Sequence, residues 1–451
     1  MGKVKKNNVT NPITEGVIWK QLLIFFFPIV IGTLVQQLYN TVDAIIVGRF
    51  VGKEALASVG GSASVLSNLV IGFFTGLSAG ASVVVAQYFG AKDSKNLDKA
   101  VHTAYAFSIF FSIVISISGF LLTPWMLTAM NTPQEVLMDS VLYLRIYFAG
   151  ILFILVYNMG ASILRAIGDS KRPLYYLIIC CVLNIVLDLL FVVGFNMGIS
   201  GAAIATLISQ AVSAFLVTRA LMKSYDCIKL RFRAIRFELS IMKSEFKIGF
   251  PSGLQACMYS ITNIIIQAAI NQFGTDTAAA WAAFGKLDAI FWTVCGAFGI
   301  AITTFTGQNY GAKKYDRVKK SVRICLFMSL GVAAVLIVFL MVTCRPLYYI
   351  FTSDKEVVDI GVYMLQLIVP SYIIYVFVEI YSGALRGISD VLIPTLITLG
   401  GVCFVRIPWV LFVTPLHNEV STLLWSYPLA WAITALFMIP YYFYKKRKLK
   451  E

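Results

Sequence analysis

One acidic residue in the first tenth of the chain is surrounded by apolar sequence. Asp43 lies in YNTVDAIIVGRF (39–50), which follows the apolar run FFFPIVIGTLVQQL (25–38). An ionised carboxylate at the centre of a lipid bilayer costs about 2.5–3.5 kcal/mol on insertion scales. Such a group is tolerated when a bound cation, a proton or a fixed basic partner neutralises it. We therefore interpret Asp43 as a group that is neutralised reversibly.

Motifs for catalysis are missing from the sequence. It contains no Walker-type phosphate loop, no HExxH pair and no nucleophile elbow. The eight cysteines show no CxxC spacing and there are only two histidines, so a structural metal site is not expected. These observations predict a protein that is not an enzyme and needs no cofactor beyond a coupling ion.

The composition predicts a membrane protein. Of 451 residues, 59% are hydrophobic and only 13% are charged, and the mean hydropathy is +0.81. Apolar runs of about 20 residues, the length of a bilayer-spanning helix, recur from residue 17 to residue 445. We predict an all-α, multi-pass protein of the plasma membrane with twelve transmembrane helices.

The distribution of positive charge predicts the orientation in the membrane. The net charge is +15, and most of the 37 Lys and Arg residues cluster in alternate loops, as the positive-inside rule describes. Both termini are therefore expected in the cytoplasm, and nucleic acid is not an expected partner. The basic, amphipathic stretch from Lys223 to Lys247 is expected to contact membrane lipids at the cytoplasmic face.

The second half of the chain repeats the first. Phe27-Pro28 recurs as Phe250-Pro251, AQYFGAKDSKNLDKA (86–100) recurs as GQNYGAKKYDRVKKS (307–321), and LRAIGDSKRP (164–173) recurs as LRGISDVLIP (385–394). Six helices in each half give the two halves the same orientation, which is a parallel repeat. We predict an N-lobe at 1–224, a cytoplasmic linker at 225–240 and a C-lobe at 241–451. This duplication favours a transporter with alternating access over a channel or a membrane enzyme.

These repeated motifs, in this order and spacing, resemble those of the multidrug and toxic compound extrusion (MATE) transporters over essentially the whole chain. The resemblance implies two six-helix lobes around a large cavity, in a protein that acts as a monomer. It also implies a secondary active exporter that antiports cationic amphiphilic compounds against Na⁺ or H⁺ by a rocking motion.

The resemblance is strongest to the bacterial and archaeal DNA-damage-inducible-type branch, whose cation site lies in the N-lobe. It implies a site at Asp43, Asn184, Asp188 and Thr206. Another branch of the family uses an Asp on helix 10, a few turns before a Leu-Arg-Gly motif. The only acid in the corresponding segment here is Glu379, so this chain matches that branch poorly.

The implied site is consistent with elementary geometry. Asn184 and Asp188 are four residues apart, so they share one helix face. At ~1.5 Å per residue, the acids and Thr206 lie roughly 6–11 Å below the outer boundary of the membrane. Carboxylate, amide and hydroxyl oxygens suit Na⁺, and neighbouring carboxylates equally suit a shared proton. We predict Na⁺ binding with proton competition; the alternative is a fixed pair with Arg145, the only base within the N-lobe spans.

The charged residues within the predicted C-lobe spans allow more than one interpretation. Glu379 and Arg406 replace polar residues of the first repeat, which predicts a structural buried ion pair, with a second coupling site or a substrate contact as alternatives. Lys286 and Asp288 either form a salt bridge or line a C-lobe cavity. Candidate cavity residues follow: Gln36, Tyr39, Asn158, Glu379, Lys286 and Asp288.

Gate and hinge residues are predicted at the repeated motifs. The pairs Arg165–Asp169 and Arg386–Asp390 have helical i, i+4 spacing at cytoplasmic helix ends, and Pro28 and Pro251 interrupt the first helix of each half. Two other functions remain open. A flippase for a lipid-linked oligosaccharide from the same superfamily is the alternative within transport, and a receptor or scaffold is the alternative from another class.

Overall fold

The computed structural model describes residues 11–223 and 228–449 and places them in twelve long helices. Each helix is long and apolar enough to cross a membrane, which confirms the predicted all-α class and the number of spans. Residues 224–227, which belong partly to the predicted linker, lie outside the described residues. The helices are α1 Ile18–Val51, α2 Lys53–Gly90, α3 Ser94–Ala129, α4 Gln134–Ala166, α5 Lys171–Gly194, α6 Gly198–Lys223, α7 Leu239–Asn271, α8 Thr275–Gly311, α9 Tyr315–Tyr349, α10 Lys355–Gly387, α11 Leu392–His417 and α12 Val420–Lys448.

The two halves pack in equivalent ways. In the N-lobe (α1–α6), α4 contacts α2, α3 and α6, and α5 contacts α1 and α6. In the C-lobe (α7–α12), α10 contacts α8, α9 and α12, and α11 contacts α7 and α12. The backbone repeats as well: Lys92 and Lys313 have a φ of 57° at matched helix ends, and Gly168 and Ser389 have φ of 94° and 66°. Two pseudo-symmetric six-helix lobes follow from these contacts.

Within residues 11–223 and 228–449, four helical segments adopt π-helical geometry. α1 ends in one at Val47–Val51 and α5 in another at Leu189–Gly194. In α11, the segments Gly400–Val405 and Trp409–Val413 lie on either side of Arg406. A π-turn inserts a residue into the helix and changes the direction of the side chains beyond it, and such turns are frequent at functional sites.

The lobes meet along a seam in which α2 and α7 pack backbone to backbone. A methyl group on Gly249 would lie 2.7 Å from the Leu77 carbonyl oxygen, and one on Gly253 would lie 2.7 Å from the Phe73 carbonyl oxygen. No real Cβ approaches an atom this closely, so glycine at these positions is what permits the contact. We call this α2/α7 contact the glycine seam.

A pair of equivalent hydrogen bonds extends the contact between the lobes. Gln87 Nε2 donates to the Gly387 carbonyl at 2.8 Å, and Gln308 Nε2 donates to the Ala166 carbonyl at 2.7 Å. Both glutamines belong to the repeated AQYFGAK and GQNYGAK motifs, and both acceptors belong to the repeated LRA and LRG motifs. The AQYFGAK motif of the N-lobe therefore binds the LRG motif of the C-lobe, and the GQNYGAK motif of the C-lobe binds the LRA motif of the N-lobe.

The chain preceding α1 crosses the same end of the bundle. Asn11 Nδ2 donates to Gln308 Oε1 at 3.0 Å, and Arg317 binds the carbonyls of Ile13 and Gly16. Ile18 and Leu449 border one surface pocket there. Both described ends of the chain thus lie at the end of the bundle where Gln87 and Gln308 join the two lobes.

The described part of the linker, from residue 228 to residue 238, is extended apart from a short turn at Phe232–Ala234. Ile228 and Leu230 are buried against the N-lobe core, whereas Phe232 and Phe237 are exposed. The segment therefore has one apolar side packed on the protein and aromatic side chains on the other.

The glycine seam makes a specific prediction about cross-linking. The Cβ position of Gly72 lies 3.6 Å from the Ala256 Cβ, within the 3.5–4.5 Å range that disulfides require. In a background without the native cysteines, Gly72→Cys/Ala256→Cys should oxidise to a disulfide, measured as loss of maleimide-reactive thiols. Gly331→Cys/Ala256→Cys is the matched control, because Gly331 faces open space. Equal thiol loss in both pairs would contradict the close packing of α2 against α7.

Candidate cation site and cavities

A cavity of about 780 Å³ lies in the N-lobe. Residues from α1, α2, α4, α5 and α6 line it, together with Lys286 and Ile300 of α8. The predicted cavity residues Gln36, Tyr39 and Asn158 are all in its wall, as is Asp43. The predicted N-lobe residues are therefore distributed around one space.

The four predicted cation-site residues are brought together at the wall of this cavity. Asn184 and Asp188 are 0% exposed, and Asp43 lies close enough to Asp188 for the two carboxyl groups to interact electrostatically. The hydrogen-bond network orients the Asn184 amide so that its nitrogen donates to Asp188 Oδ2 at 2.9 Å and its oxygen accepts from the Thr206 N–H at 3.3 Å. Tyr39 closes the cluster by donating to Thr206 Oγ1 at 3.5 Å.

Two oxygens of this cluster are buried without a hydrogen-bond partner in the described part of the chain. They are Asp43 Oδ1 and Asp188 Oδ1. Arg145, the fixed partner considered from the sequence, instead lies over the Phe120 ring at 5.1 Å, and no ion pair of the described residues includes either acid. Buried acceptors that are left unpaired in this way are costly, and a cation or a proton satisfies them.

The backbone changes geometry directly beyond both acids. The π-helical segment of α1 begins four residues after Asp43, and that of α5 begins immediately after Asp188. The two segments contact each other. Because π-turns weaken the regular helical hydrogen bonding, the ends of α1 and α5 beyond the two acids are the parts of these helices best suited to move with the site.

A second cavity, of about 590 Å³, lies in the C-lobe. Asp288 is in its wall, where Oδ2 accepts from Trp292 Nε1 at 2.7 Å and Oδ1 accepts from the Tyr372 hydroxyl. Lys286 lines the N-lobe cavity instead, because residues two apart on a helix do not share a face. The two alternatives for Lys286 and Asp288 were a salt bridge and a position in the C-lobe cavity. The structure shows the cavity position for Asp288. The aromatic lining residues are Tyr259, Trp281, Phe284, Trp292, Tyr375, Tyr427 and Trp431.

The predicted ion pair between Glu379 and Arg406 is wrong. Glu379 packs against Gly299 of α8 and accepts from the Tyr375 hydroxyl at 3.4 Å, whereas the Arg406 guanidinium lies 3.9 Å from the Tyr427 ring centroid. No ion pair of the described residues joins them. The prediction placed Arg406 by its correspondence to a polar residue of the first repeat, but π-turns on both sides of it change the direction of its side chain.

The predicted i, i+4 gate pairs also need correction. α4 ends at Ala166 and α10 at Gly387, so Asp169 and Asp390 lie beyond the helices that would align them with Arg165 and Arg386. Asp169 accepts from the Lys171 and Arg172 amides at the start of α5 and pairs with Arg172 at 3.5 Å.

In the C-lobe, Asp390 pairs with Lys445 at 2.9 Å and accepts from the Tyr441 hydroxyl at 2.8 Å, so it binds α12. Arg165 donates to Ser162 Oγ at 3.1 Å. Pro28 lines the N-lobe cavity, and Pro251 is buried beside the glycine seam. Their role as hinges stays a prediction.

Three functional candidates were not recognised from the sequence. Gln87 and Gln308 stood in the repeated motifs, but their role across the lobe interface depends on how the lobes pack. Glu245 of α7 is buried at the glycine seam, where its carbonyl oxygen faces Gly80, and its Oε1 has no hydrogen-bond partner among the described residues. Its only sequence signal was an acid close to an apolar segment.

Two repeated six-helix lobes in a membrane, with a cavity in each, form the architecture of a secondary transporter. The MatE family model matches this chain twice, at residues 28–190 and 251–411, so the chain belongs to the MatE family. Members of this family are transport proteins and not enzymes, which confirms the prediction of a non-enzymatic, multi-pass protein of the cell membrane.

Individual relatives agree with this assignment. The chain is 28% identical over 455 residues to the "Probable multidrug resistance protein YoeA" of Bacillus subtilis, covering 98% of this chain and 97% of the relative. A MOP superfamily transporter from Pyrococcus furiosus has a TM-score of 0.91 at 22% identity, covering 99% of this chain and all of that one. A structure described as the outward-facing conformation of a multidrug resistance MATE transporter has a TM-score of 0.90 at 22% identity, over 99% and 100% of the two chains.

The separation of Glu379 from Arg406 predicts additive mutational effects. Residues that do not share an interaction usually change stability additively, within about 0.3–0.5 kcal/mol. The double variant Glu379→Gln/Arg406→Gln should therefore lower the melting temperature in detergent by the sum of the two single shifts. A double variant that is more stable than the Glu379→Gln single variant would instead indicate a direct pair.

Proposed function

We propose that this protein is a secondary active multidrug exporter in which inward flow of Na⁺ or H⁺ through the N-lobe drives export of cationic amphiphilic compounds. The observation that carries the proposal is that Asp43 and Asp188, beside a drug-sized cavity, each have a buried carboxylate oxygen without a partner among the described residues. Similarity to relatives named as probable multidrug resistance proteins supports the substrate class.

The same carboxylates account for exchange between cation and drug. Asp43 lies in the cavity wall with Tyr39, Tyr143 and Tyr147, whose aromatic faces attract organic cations. Asp188 and Asn184 lie behind it and are fully buried. A cationic compound in the cavity and an inorganic cation at the cluster both use the negative charge of Asp43. Binding of one therefore weakens binding of the other, which is the requirement for antiport.

Alternating access is proposed from the asymmetry of the lobe interface. The glycine seam and the Gln87 and Gln308 hydrogen bonds close the interface at the end that carries both termini. Towards the other end, polar residues of α1 and α7 that line the two cavities are exposed: Gln36, Asn40, Asn263 and Gln267. With the termini in the cytoplasm, as the charge distribution predicts, the cavities face outward, and the inward-facing state requires the seam to separate. The Gly72→Cys/Ala256→Cys disulfide should accordingly stop efflux until it is reduced.

One observation favours the alternative of a lipid-linked oligosaccharide flippase. Arg165 and Lys286 also line the N-lobe cavity, and a basic cavity suits a phosphate-bearing substrate. Ethidium efflux from cells that express the protein separates the two functions, because a flippase for an anionic lipid does not export an organic cation.

The proposal predicts that each buried acid is required for coupled transport. Asp43→Asn and Asp188→Asn each remove a negative charge but keep hydrogen bonding, so the protein should remain folded. The initial rate of gradient-driven ethidium efflux should fall about tenfold or more, because interactions with charged groups contribute about 1.5–3 kcal/mol. Asp139→Asn, an exposed acid of α4, is the control and should transport normally. Normal coupled efflux by either site variant refutes the N-lobe assignment.

The coupling ion is predicted to be Na⁺, with protons competing for the same carboxylates. Na⁺ requires several oxygens at once, and the Asn184 amide and the Thr206 hydroxyl supply neutral ones, whereas a proton needs a single carboxylate. Na⁺ affinity should therefore fall as the pH is lowered, because binding requires deprotonated acids.

Thr206→Val tests the choice of ion, because it deletes an oxygen without removing a titratable group. It should weaken Na⁺ binding, measured as Na⁺-dependent thermal protection across pH, and spare any proton-driven transport. Thr218→Val on the same helix is the matched control, since Thr218 bonds Ala214 and Tyr105. A wild type that shows no Na⁺ response at any pH, with efflux intact under a proton gradient alone, would identify a proton site.

A further inference from the structure

We propose that the C-lobe cavity binds the anionic group of aromatic zwitterions, with Arg406 as the ligand of that group. The proposal rests on the proposed export function and deepens it, because it names the residue that would bind the carboxylate of such a compound. It concerns a cavity separate from the cation site, in the other lobe of the protein.

Arg406 is a buried cation without a counter-charge in contact. Its residue is 4% exposed, its Nε has no hydrogen-bond partner, and no ion pair of the described residues includes it. An arginine side chain stays protonated in proteins, so it cannot escape the cost of burial by losing its proton. Its guanidinium faces the Tyr427 ring, and both residues line the C-lobe cavity. An anion entering this cavity would satisfy the free donors of Arg406.

The acids near Arg406 are already engaged with other groups. Both carboxylate oxygens of Asp288 accept hydrogen bonds, one from Trp292 and one from Tyr372. Glu379 accepts from Tyr375 and packs against α8. The cavity therefore contains one positive and one negative group that do not contact each other. A zwitterion matches this arrangement better than a simple anion, which Asp288 would repel.

The walls of the cavity favour a flat aromatic ligand. Trp281 and Phe284 are stacked at 5.0 Å, and Trp292 meets Tyr375 edge to face at 4.6 Å. The volume of about 590 Å³ is within the range for drug-sized ligands. Aromatic rings stack on such walls and guanidinium groups bind carboxylates with two parallel hydrogen bonds, so ring and carboxylate would be held together.

The cavity is reached from the space between the lobes. Thr33 and Gln37 of α1 line it on the N-lobe side, and the exposed residues Asn263 and Gln267 of α7 line it as well. A compound that enters between the lobes thus meets either the acidic cluster of the N-lobe or Arg406 of the C-lobe. Its own charge decides which cavity retains it.

A matched pair of dyes tests the proposal. Rhodamine 110 carries a free carboxylate, and rhodamine 123 is its methyl ester, so the two differ only at the group that Arg406 would bind. Binding to the purified full-length protein in detergent is measured by dye anisotropy and by quenching of the tryptophans in the cavity. Arg406→Gln should weaken rhodamine 110 binding about ten- to a hundredfold and change rhodamine 123 binding less than about twofold. Arg406→Lys, which keeps the charge, should retain part of the carboxylate preference.

The controls separate anion binding from structural damage. Arg345→Gln removes an exposed arginine that pairs with Asp359, and it should change neither affinity. In the wild type, the zwitterion 3-(2-naphthyl)alanine should displace rhodamine 110, whereas its amide, which lacks the carboxylate, should not. Equal displacement by the two naphthalenes, or equal losses for both dyes in Arg406→Gln, would overturn the anion site even if one variant folded poorly.

Export measured in cells distinguishes this proposal from the one on which it rests. If the wild type exports neither dye while the purified protein still prefers the carboxylate, the anion site stands and drug export fails. If the ester is exported but the free acid is neither bound nor exported, drug export stands and the anion site fails.

Discussion

The cost of placing charge inside an apolar helix bundle governs the chemistry of this protein. Four charged side chains in and beside the two cavities meet that cost in different ways. Asp288 is satisfied by two aromatic hydrogen-bond donors, and Arg406 rests on the face of Tyr427. Asp43 and Asp188 each retain one buried oxygen without a partner. A cation or a proton can satisfy these two oxygens, and we propose Asp43 and Asp188 as the groups that couple to ions.

The repeated motifs explain how two such lobes remain in contact. Gln87 and Gln308 make equivalent hydrogen bonds across the interface, each to a carbonyl of the opposite lobe's repeated motif. The glycine seam beside them brings two backbones together, so the contact is close but uses few specific side chains. Contacts of this kind can form and separate as a unit, which a rocking transporter requires. A buried acid, Glu245, at the same seam adds a titratable carboxyl group whose environment would change on the proposed separation of the lobes.

The two repeated lobes share a backbone arrangement but differ in the polar side chains of their cavities. The N-lobe has an acidic cluster beside an open cavity, whereas the C-lobe has an aromatic cavity with one acid and one arginine. Side chains diverged while the matched backbone turns were kept, as the shared φ values of Lys92 and Lys313 show. This difference underlies our proposals that the N-lobe couples ions and that the C-lobe cavity binds compounds with a carboxylate.

The sequence by itself determined the twelve spans, the repeat, the family and the four residues that meet at the N-lobe cluster. These features depend on the length of apolar runs and on motif order, both of which are local properties of the chain. The tertiary structure alone decided the partners of the charged residues. The Arg406 side chain does not contact Glu379, because π-turns on both sides of it change its direction. Asp169 and Asp390 bind other residues, because the helices that carry Arg165 and Arg386 end before them. Side-chain direction depends on local helix geometry and on packing between helices, and residue spacing records neither.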